Sequence, residues 1–515
     1  MSKEGRSVTI QAAILASAGL ITKAIGFVYR IPMANILGNT GNGIYSVAFG
    51  IYSIALTLSS YSMPVSISKL IAEKSIEDKD AGKRVFRVAL VISLLLGLIA
   101  SMGLYFGADF LADQYHKDGI QMSLRILAPT TLIVSVLGCF RGYFQGYGNM
   151  LPTSVSQVLE QIMNAVISVV GALYLVKVVA DTDNLAAVRS AGGTTGTLAG
   201  ALTALLIIFG IYLKKRNKNE IHITLDEFKN IAKLLILMML PIIFSQTIYQ
   251  VGYTLDDLIF PKIMLQKGFT SKTITDLQGI FNTQYTQMIN LPIGMATAFG
   301  VSLIPRISRA FAEKNQENLD NYINKLISMT SLIVFPAAVG LSVCSREIME
   351  VLFPALGSYT NVAVRLMLFG SCGAVFYSFS TISTSILQGT NHFRIPVINS
   401  FISLVLHIGL VIILLFQTDW NVYVILIGDL TFALLIFILN AIYIKKHIPC
   451  TIRLKENVIN HILNALVMGI AILLVDFIIG KFISIPIIVM AVKVLCGMIV
   501  YGILEFQCLK SIRRG

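Results

Sequence analysis

The sequence of 515 residues carries little charge for its length. Asp, Glu, Lys and Arg together make up 13% of the chain, about half the usual share of a soluble protein. Apolar residues make up 55%, and the mean hydropathy is +0.77. These figures exclude a water-soluble globular protein. They also exclude an intrinsically disordered chain, because so much apolar surface cannot stay solvated.

The sequence also lacks the short motifs of several enzyme classes. It has no G-x-x-x-x-G-K-[ST] loop, which argues against ATP-driven pumping, and no H-E-x-x-H zinc motif. The six cysteines form no C-x-x-C pair, so we expect free thiols that pack as small hydrophobic residues. Without a Ser/His/Asp spacing or a soluble domain, we expect no catalytic residue, no metal site and no enzyme.

Long apolar segments are what the sequence has in abundance. A helix that spans a bilayer needs about 20 predominantly apolar residues, and we predict an all-α polytopic membrane protein with about fourteen spans. The predicted segments are residues 8–34, 42–70, 85–107, 122–146, 153–178, 191–213, 229–263, 275–304, 321–345, 360–389, 393–416, 421–444, 456–479 and 482–507.

The basic residues between the predicted spans lie mainly on one side. Most of the 40 Lys and Arg residues fall near the N-terminus, in the even-numbered loops or near the C-terminus. The bias of Lys and Arg toward cytoplasmic loops therefore places both termini in the cytoplasm. The run Lys214-Lys215-Arg216-Asn217-Lys218 is explained by contact with anionic lipid headgroups, and we expect bilayer lipids but no nucleic acid as a partner.

The sequence contains an internal repeat. Ile67-Ser-Lys-Leu-Ile-Ala-Glu-Lys74 returns as Ile307-Ser-Arg-Ala-Phe-Ala-Glu-Lys314, and Leu124-Arg125-Ile126-Leu127 returns as Val364-Arg365-Leu366-Met367, both at an offset of 240 residues. Gln145-Gly146 returns as Gln388-Gly389 at nearly the same offset. Motifs that recur in one order at one spacing indicate two related halves.

The repeat predicts the domain organisation. We expect a six-helix lobe at residues 1–226, a second at 227–450, and two additional transmembrane helices with a cytoplasmic tail at 451–515. Because six is an even number, both lobes enter the membrane from the same side, and the repeat is parallel. Two parallel bundles that rock about a site at their interface are typical of alternating-access transporters.

Two cations in the first predicted span are candidates for a binding site. Lys23 and Arg30 are seven residues apart and share one helical stripe with Gly26 and Phe27. An ammonium, a guanidinium and a glycine that permits close approach suit a phosphate or pyrophosphate. The alternative is that one or both side chains extend to the membrane interface.

Other polar residues lie within or beside the spans. Glu160, Asp256 and Asp257 either pair with the first-span cations, hold a coupling Na⁺ or proton, or are solvated at a helix end. Arg125 and Arg365, matched by the repeat, are candidates for a gate or for anchors at helix starts. Gln145 adds polarity to the fourth span, as a candidate lining residue of a wet cavity.

Three stretches resemble a known family. They are Thr22-Lys-Ala-Ile-Gly-Phe-Val-Tyr-Arg-Ile-Pro, Met63-Pro-Val-Ser-Ile-Ser-Lys-Leu-Ile-Ala-Glu, and the segment from Arg141-Gly-Tyr-Phe-Gln-Gly to Glu160-Gln161. The chain is similar to the polysaccharide-biosynthesis branch of the multidrug/oligosaccharidyl-lipid/polysaccharide (MOP) flippase superfamily. Within that branch it resembles the stage V sporulation protein B relatives of the MurJ lipid II flippases.

The resemblance implies a V-shaped pair of six-helix lobes with a cationic central cavity. Such a protein moves an undecaprenyl-pyrophosphate-linked sugar precursor from the inner to the outer leaflet of the bacterial cytoplasmic membrane, driven by Na⁺, H⁺ or the membrane potential. Lys23 looks like a first-span cation of the family. The family's eighth-span arginine falls at Gln287, so the clamp on the pyrophosphate is thinner here.

Three rival functions stay open from the sequence. One is a cation-coupled multidrug exporter of the same superfamily, whose cavity would be dominated by acids. Another is a membrane glycosyltransferase or polymer ligase, against which the short loops argue. The third is a non-transport partner that recruits cell-wall synthesis enzymes.

Overall fold

The computed structural model describes residues 3–78, 80–178, 184–215, 223–479 and 485–512. Within these ranges the chain is helical and forms no strand. A helix satisfies its backbone hydrogen bonds internally, which the bilayer interior requires of a spanning segment. The predicted all-α membrane fold is therefore confirmed. Arg216, Asn217 and Lys218 of the basic run lie outside the described residues.

Eighteen α-helices account for most of the described chain. They are α1 (Lys3–Ser59), α2 (Met63–Glu77), α3 (Ala81–Phe106), α4 (Ala108–Gln114), α5 (Ile120–Gly146), α6 (Leu151–Val178), α7 (Leu185–Lys215), α8 (Leu225–Gln266), α9 (Ser271–Gly279), α10 (Thr286–Ala312), α11 (Gln316–Val343), α12 (Ser345–Leu352), α13 (Thr360–Gly370), α14 (Cys372–Gly389), α15 (Arg394–Gln417), α16 (Val422–His447), α17 (Asn460–Ile479) and α18 (Pro486–Ile512). A π-helical segment, Ile280–Tyr285, joins α9 to α10, and another, Lys455–Ile459, precedes α17.

Length and composition give eleven candidate membrane spans among the described residues, or twelve if the bent pair of Pro354–Gly370 and Cys372–Gly389 is one span. The predicted number of fourteen is not confirmed by this count. The first two predicted spans belong to one stretch of 59 residues, Ser17–Ser75. At about 1.5 Å per residue, that stretch is far longer than the ~30 Å hydrocarbon core. The eleven do not include α8, which contains the predicted seventh span.

The long helix α1 is broken at Gly38. The residue has φ 67° and ψ 178°, a backbone conformation that only glycine adopts without strain. Beyond the break, the Asn42 side chain donates a hydrogen bond of 2.8 Å to the carbonyl of Ala34, which links the helical segments on the two sides of Gly38. Gly38, and not Pro32 in the same helix, marks the end of the first predicted span.

The chain packs into two compact units, Met1–Gly279 and Ile280–Gly515. In the first unit, apolar side chains of α2, α3 and α5 form one core around Ile67 and Phe86, and those of α1 and α5 form another around Val47. In the second unit, α10, α11 and α14 pack around Ile307. The boundary between the units follows packing, whereas the predicted lobes at 1–226, 227–450 and 451–515 follow the sequence repeat and stay a prediction.

The repeat falls on equivalent helix pairs in the two units. In the first unit α2 packs on α5, and a Cβ built on Gly142 would lie 2.9 Å from Ile67 Cβ. In the second unit α10 packs on α14, and a Cβ built on Gly389 would lie 2.8 Å from Ile307 Cγ2. Ile67 and Ile307 are the positions that the repeat places in register. In each unit a glycine that faces this isoleucine lets the two helices approach closely.

Candidate functional site

Lys23 and Arg30 lie on one stripe of α1, and both side chains are exposed. Neither has a carboxylate within ion-pair distance among the described residues. Arg30 lies beside the side chains of Tyr29 and Tyr45, of which Tyr29 is buried. The Arg30 guanidinium is therefore flanked by two phenols.

The α1 stripe faces α6 at Gly26. A Cβ built on Gly26 would lie 3.2 Å from Gln161 Nε2, so the missing side chain leaves room for the amide of Gln161. This amide therefore lies against α1 at a position between the two cations. The stripe thus offers an ammonium, an amide and a guanidinium, all of which donate hydrogen bonds to phosphate oxygens.

Glu160, the residue before Gln161, is paired with a cation from α5. Arg141 Nη2 lies 2.6 Å from Glu160 Oε2, and Arg141 Nε donates to Ser156 Oγ at 3.1 Å. The sequence left Lys23 and Arg30 open as partners of Glu160. In the structure its partner is Arg141 instead. The negative charge beside Gln161 is thereby neutralised, and the two α1 cations keep their positive field.

Asp257 is buried at the far end of α8. Its carboxylate Oδ1 accepts a hydrogen bond of 3.1 Å from Gln278 Nε2. Asp256 is only half-buried, as expected of neighbouring residues that point about 100° apart on a helix. The nearby cation is Lys117, whose ammonium interacts electrostatically with Asp257 and Asp276. The sequence placed Lys117 among the loop cations and did not connect it with the acids.

Lys117 lies in the turn between α4 and α5 and is 2% exposed. Its ammonium donates to Thr275 Oγ1 at 3.3 Å. The pKa of Lys117 is lowered, because burial lowers it by more than the carboxylates of Asp257 and Asp276 raise it. A signal for this site existed in the sequence, since two acids late in a span need a counter-charge, but sequence spacing alone does not identify the residue that supplies it.

The candidate gate residues Arg125 and Arg365 are both exposed. Arg125 on α5 forms an ion pair of 2.7 Å with Asp109 on α4. Arg365 lies on α13 in the second unit, beside the side chain of Tyr423 on α16. Their positions near the starts of equivalent segments agree with the repeat. The surroundings of each are those of a solvated helix end.

The two glutamine candidates belong to different units. Gln145 lies at the end of α5 in the first unit and is half-buried. Gln287 lies at the start of α10 in the second unit, directly after the π-helical segment, and is buried. Within the first unit, Gln161 of α6 lies against α1, the helix that carries Lys23 and Arg30.

Two charged clusters near the end of the chain were not predicted as sites. Lys493 Nζ on α18 lies 2.8 Å from Glu347 Oε1 and 3.0 Å from Asp476 Oδ1. His461 Nδ1 on α17 lies 2.9 Å from Glu505 Oε1. Their partners come from other helices, and no spacing along the chain indicates them.

A family model described as polysaccharide biosynthesis protein matches residues 9–311, more than half of the chain. The chain belongs to this family. A second model, MatE, matches residues 283–413. The family resemblance inferred from the first-span, second-span and Arg141 motifs is therefore confirmed, and with it membership of the MOP superfamily.

Named relatives of this family cover nearly the whole chain. Lipid II flippase MurJ of Bacillus subtilis (strain 168) is 26% identical over 492 residues, which are 92% of this chain and 89% of that protein. Stage V sporulation protein B of the same organism is 26% identical over 450 residues, which are 86% and 84% of the two chains. The solved structure of lipid II flippase MurJ in an inward closed conformation shares the fold, with a TM-score of 0.71 over 97% of this chain and 99% of that one, at 16% identity.

The fold and these relatives make the chain a multi-pass membrane protein of a transporter superfamily. Among the described residues no group of three or more His, Cys, Asp or Glu side chains is placed to hold a metal ion. What the α1 stripe can do chemically is hold an anion by charge and hydrogen bonds, without a covalent step.

Proposed function

We propose that the chain is a flippase that moves an undecaprenyl-pyrophosphate-linked sugar precursor, lipid II or a related polysaccharide precursor, from the inner to the outer leaflet. It would do so by alternating access and would serve cell-wall or polysaccharide synthesis. The observation that carries the proposal is the α1 stripe, on which Lys23 and Arg30 have no carboxylate partner among the described residues. Gly26 and the Gln161 amide lie between them.

The dimensions of the stripe suit a pyrophosphate. Seven residues of helix separate the two Cα atoms by about 10 Å along the axis. The flexible Lys23 and Arg30 side chains can both reach a diphosphate that lies over Gly26. The guanidinium binds two oxygens at once, whereas the ammonium acts as a point charge. The amide of Gln161 adds a neutral donor.

The chemistry of the substrate fits a membrane protein without a soluble domain. The polyprenyl tail is as apolar as the bilayer and can stay in it throughout, so the protein has to supply a path only for the polar sugar-pyrophosphate head. A wet path lined by cations lowers the cost of taking the pyrophosphate out of water. Two related helical bundles that alternate their opening provide such a path without a covalent step.

The driving force in this proposal is electrical, ionic or both. An anionic head that moves outward across a membrane with a negative interior gains about 2.3 kcal/mol per charge for each 100 mV. Asp256 and Asp257 are the candidates for coupling to Na⁺ or H⁺. Asp257 is buried, accepts a hydrogen bond from Gln278 and lies near Lys117, and Asp256 beside it is half-buried.

The orientation in this proposal follows from the charge bias. Both termini lie in the cytoplasm, and the break at Gly38 lies at the outer side of the cytoplasmic membrane. The names of two relatives, a lipid II flippase and a stage V sporulation protein, support the proposed substrate class and a place near cell-wall synthesis enzymes. Bilayer lipids are partners in any case.

A cation-coupled exporter of small molecules is the second candidate, since the MatE model matches residues 283–413. Such an exporter binds organic cations, which an anionic cavity attracts and the α1 cations repel. The two functions therefore predict opposite effects of neutralising the stripe. Removing Lys23 and Arg30 abolishes transport of an anionic head and leaves or improves export of a cation.

The test is expression in a bacterium depleted of its own lipid II flippase, with leaflet-specific labelling of the precursor. We expect restored outer-leaflet exposure, reduced about tenfold or more in Lys23→Ala/Arg30→Ala because both charge-assisted contacts are lost. The matched control is Lys325→Ala/Arg346→Ala, which removes two exposed cations. With equal amounts in the membrane, no restoration by the parent chain contradicts lipid II as substrate, and equal activity of all variants contradicts the α1 site.

A further inference from the structure

The short helix α9 packs on α1 directly after the Gly38 break, with backbone against backbone. A Cβ built on Gly43 would lie 2.1 Å from the carbonyl oxygen of Thr275, and one built on Gly279 would lie 2.3 Å from the carbonyl oxygen of Asn39. Each helix therefore contributes a glycine where the other helix's backbone passes. No larger residue fits either position without moving the helices apart.

A buried cluster of charges lies at this crossing. Lys117, Asp257 and Asp276 are all buried and come from the α4–α5 turn, α8 and α9. Lys117 donates to Thr275 on α9, and Asp276 accepts a hydrogen bond of 2.5 Å from Thr40 Oγ1 on α1.

The cluster reaches α8 through a second side chain of α9. Gln278 Nε2 donates to Asp257, both to the carboxylate at 3.1 Å and to the backbone carbonyl at 3.3 Å. Three polar residues of the nine-residue α9 are thus bonded to three different segments of the first unit. They are Thr275, Asp276 and Gln278. These contacts add to the close backbone packing at Gly43 and Gly279.

The chain leaves the first unit at the end of α9. Gly279 is the last residue of that unit, and the π-helical segment Ile280–Tyr285 follows at once. A π-helical segment interrupts the regular hydrogen bonding of a helix and often lies at a functional position. Helix α10 beyond it packs on α11 and α14 within the second unit. The α9 helix is therefore held by one unit and continues directly into the other.

We propose that Lys117, Asp257 and Asp276 form a latch that holds α9 in its place within the first unit, and that its release is a step of the transport cycle. A buried charge is stable when it is paired, and an exposed charge is stable when it is hydrated, but a buried charge without a partner is unstable. The cluster therefore favours two discrete states, α9 docked or α9 released, over a continuous range. The role in transport rests on the proposed function, whereas the existence of the latch does not.

The experiment measures the accessibility of α9 with a cysteine reporter. In a chain whose six cysteines are replaced, Ile274→Cys places a thiol on α9 at a position that is 2% exposed. Its rate of reaction with a membrane-impermeant thiol reagent is measured in open membrane fragments, where the reagent reaches both sides. A second reporter, Ile67→Cys on α2, monitors the core away from α9.

We expect Lys117→Met and Asp276→Asn each to raise the reaction rate at Ile274→Cys about tenfold or more, because each leaves a buried partner uncompensated. In the double variant the two effects should not multiply, since both side chains belong to one cluster. Lys272→Met, an exposed lysine on the same helix, should leave the rate unchanged. The rate at Ile67→Cys should stay low throughout.

Unchanged reaction at Ile274→Cys in both single variants overturns the latch. A parallel rise at Ile67→Cys also overturns it, because the cluster then supports the whole fold and not α9 in particular.

For the transport role, lipid II is added to the parent chain with the Ile274→Cys reporter, and the rate should rise. If the parent moves lipid II but the rate does not change, the latch takes no part in transport. If the parent moves no lipid II, the proposed function fails while the variants still test the latch.

Discussion

Arg141 on α5 and Glu160 on α6 form an ion pair of 2.6 Å, with side chains that are 13% and 28% exposed. Arg141 belongs to a motif that carries the family resemblance, and Glu160 stood among the candidates for a partner of the α1 cations. Their pairing separates two roles that the sequence could not separate. Arg141 and Glu160 neutralise each other, and neither Lys23 nor Arg30 takes part in this ion pair.

We expect Arg141→Met to lower the free energy of unfolding by about 1–3 kcal/mol, because it leaves Glu160 without its charged partner in a largely buried position. The measurement is the thermal unfolding midpoint of the purified protein in detergent. Arg125→Met is the matched control on the same helix. Its pair with Asp109 is 43% and 66% exposed, and such pairs contribute about 0–1 kcal/mol.

The double variant Arg141→Met/Glu160→Gln should recover part of the lost stability, because no unpaired charge remains. If Arg125→Met lowers the stability as much as Arg141→Met does, the burial of the Arg141–Glu160 pair does not increase its contribution.

Apolar length predicted the helices of this fold well. The predicted segments 122–146 and 153–178 correspond to α5 (Ile120–Gly146) and α6 (Leu151–Val178) within two residues at each end. The first segment and most of the second belong to one helix, α1, which is broken at Gly38, and the second segment ends in α2. A glycine in an apolar stretch is common, and the sequence does not indicate which glycine has a positive φ.

The sequence could group candidate residues where they share one helix. A seven-residue spacing puts Lys23 and Arg30 on one face, with Gly26 between them, and their role in binding stays a prediction. Lys117 and Asp257 are 140 positions apart in the chain, and their proximity depends on the packing of α8 and α9 against other helices. Pairing of this kind depends on the tertiary structure and cannot be predicted from the periodicity of the sequence.

Gly26→Ala tests whether the close approach of Gln161 to α1 matters for transport. The new methyl group would meet Gln161 Nε2 at 3.2 Å, and a flexible side-chain end can move aside, so folding should be preserved. We expect outer-leaflet exposure of the precursor to fall several-fold while the amount of protein in the membrane stays constant.

Gly210→Ala on α7 is the control for Gly26→Ala, since its Cβ would meet nothing within 4 Å. Equal transport by the two variants would remove the Gln161 amide from the site. A fall in membrane level of Gly26→Ala alone would mean that the glycine serves packing and not substrate.

Gly38→Ala should destabilise the protein by about 1–3 kcal/mol, because φ 67° with ψ 178° is accessible almost only to glycine. The measurement is again the thermal midpoint in detergent. Gly19→Ala in the same helix has the opposite expectation. Its Cβ would meet nothing within 4 Å, and alanine in place of glycine inside a helix stabilises by about 1 kcal/mol. Midpoints that move in the same direction in both variants would contradict the strained break at Gly38.

Lys493→Met tests whether a buried charge holds α18 in the second unit. The ammonium lies 2.8 Å from Glu347 on α12 and 3.0 Å from Asp476 on α17, so its removal leaves two carboxylates without their cation. We expect a loss of about 3 kcal/mol in the free energy of unfolding. Glu347→Gln in the same chain should return most of it, because Glu347 is the more buried of the two acids and then carries no charge. The exposed Lys325→Met on α11 should leave the midpoint unchanged, and an equal loss there would show that lysine removal as such, and not the buried pairing, lowers the stability.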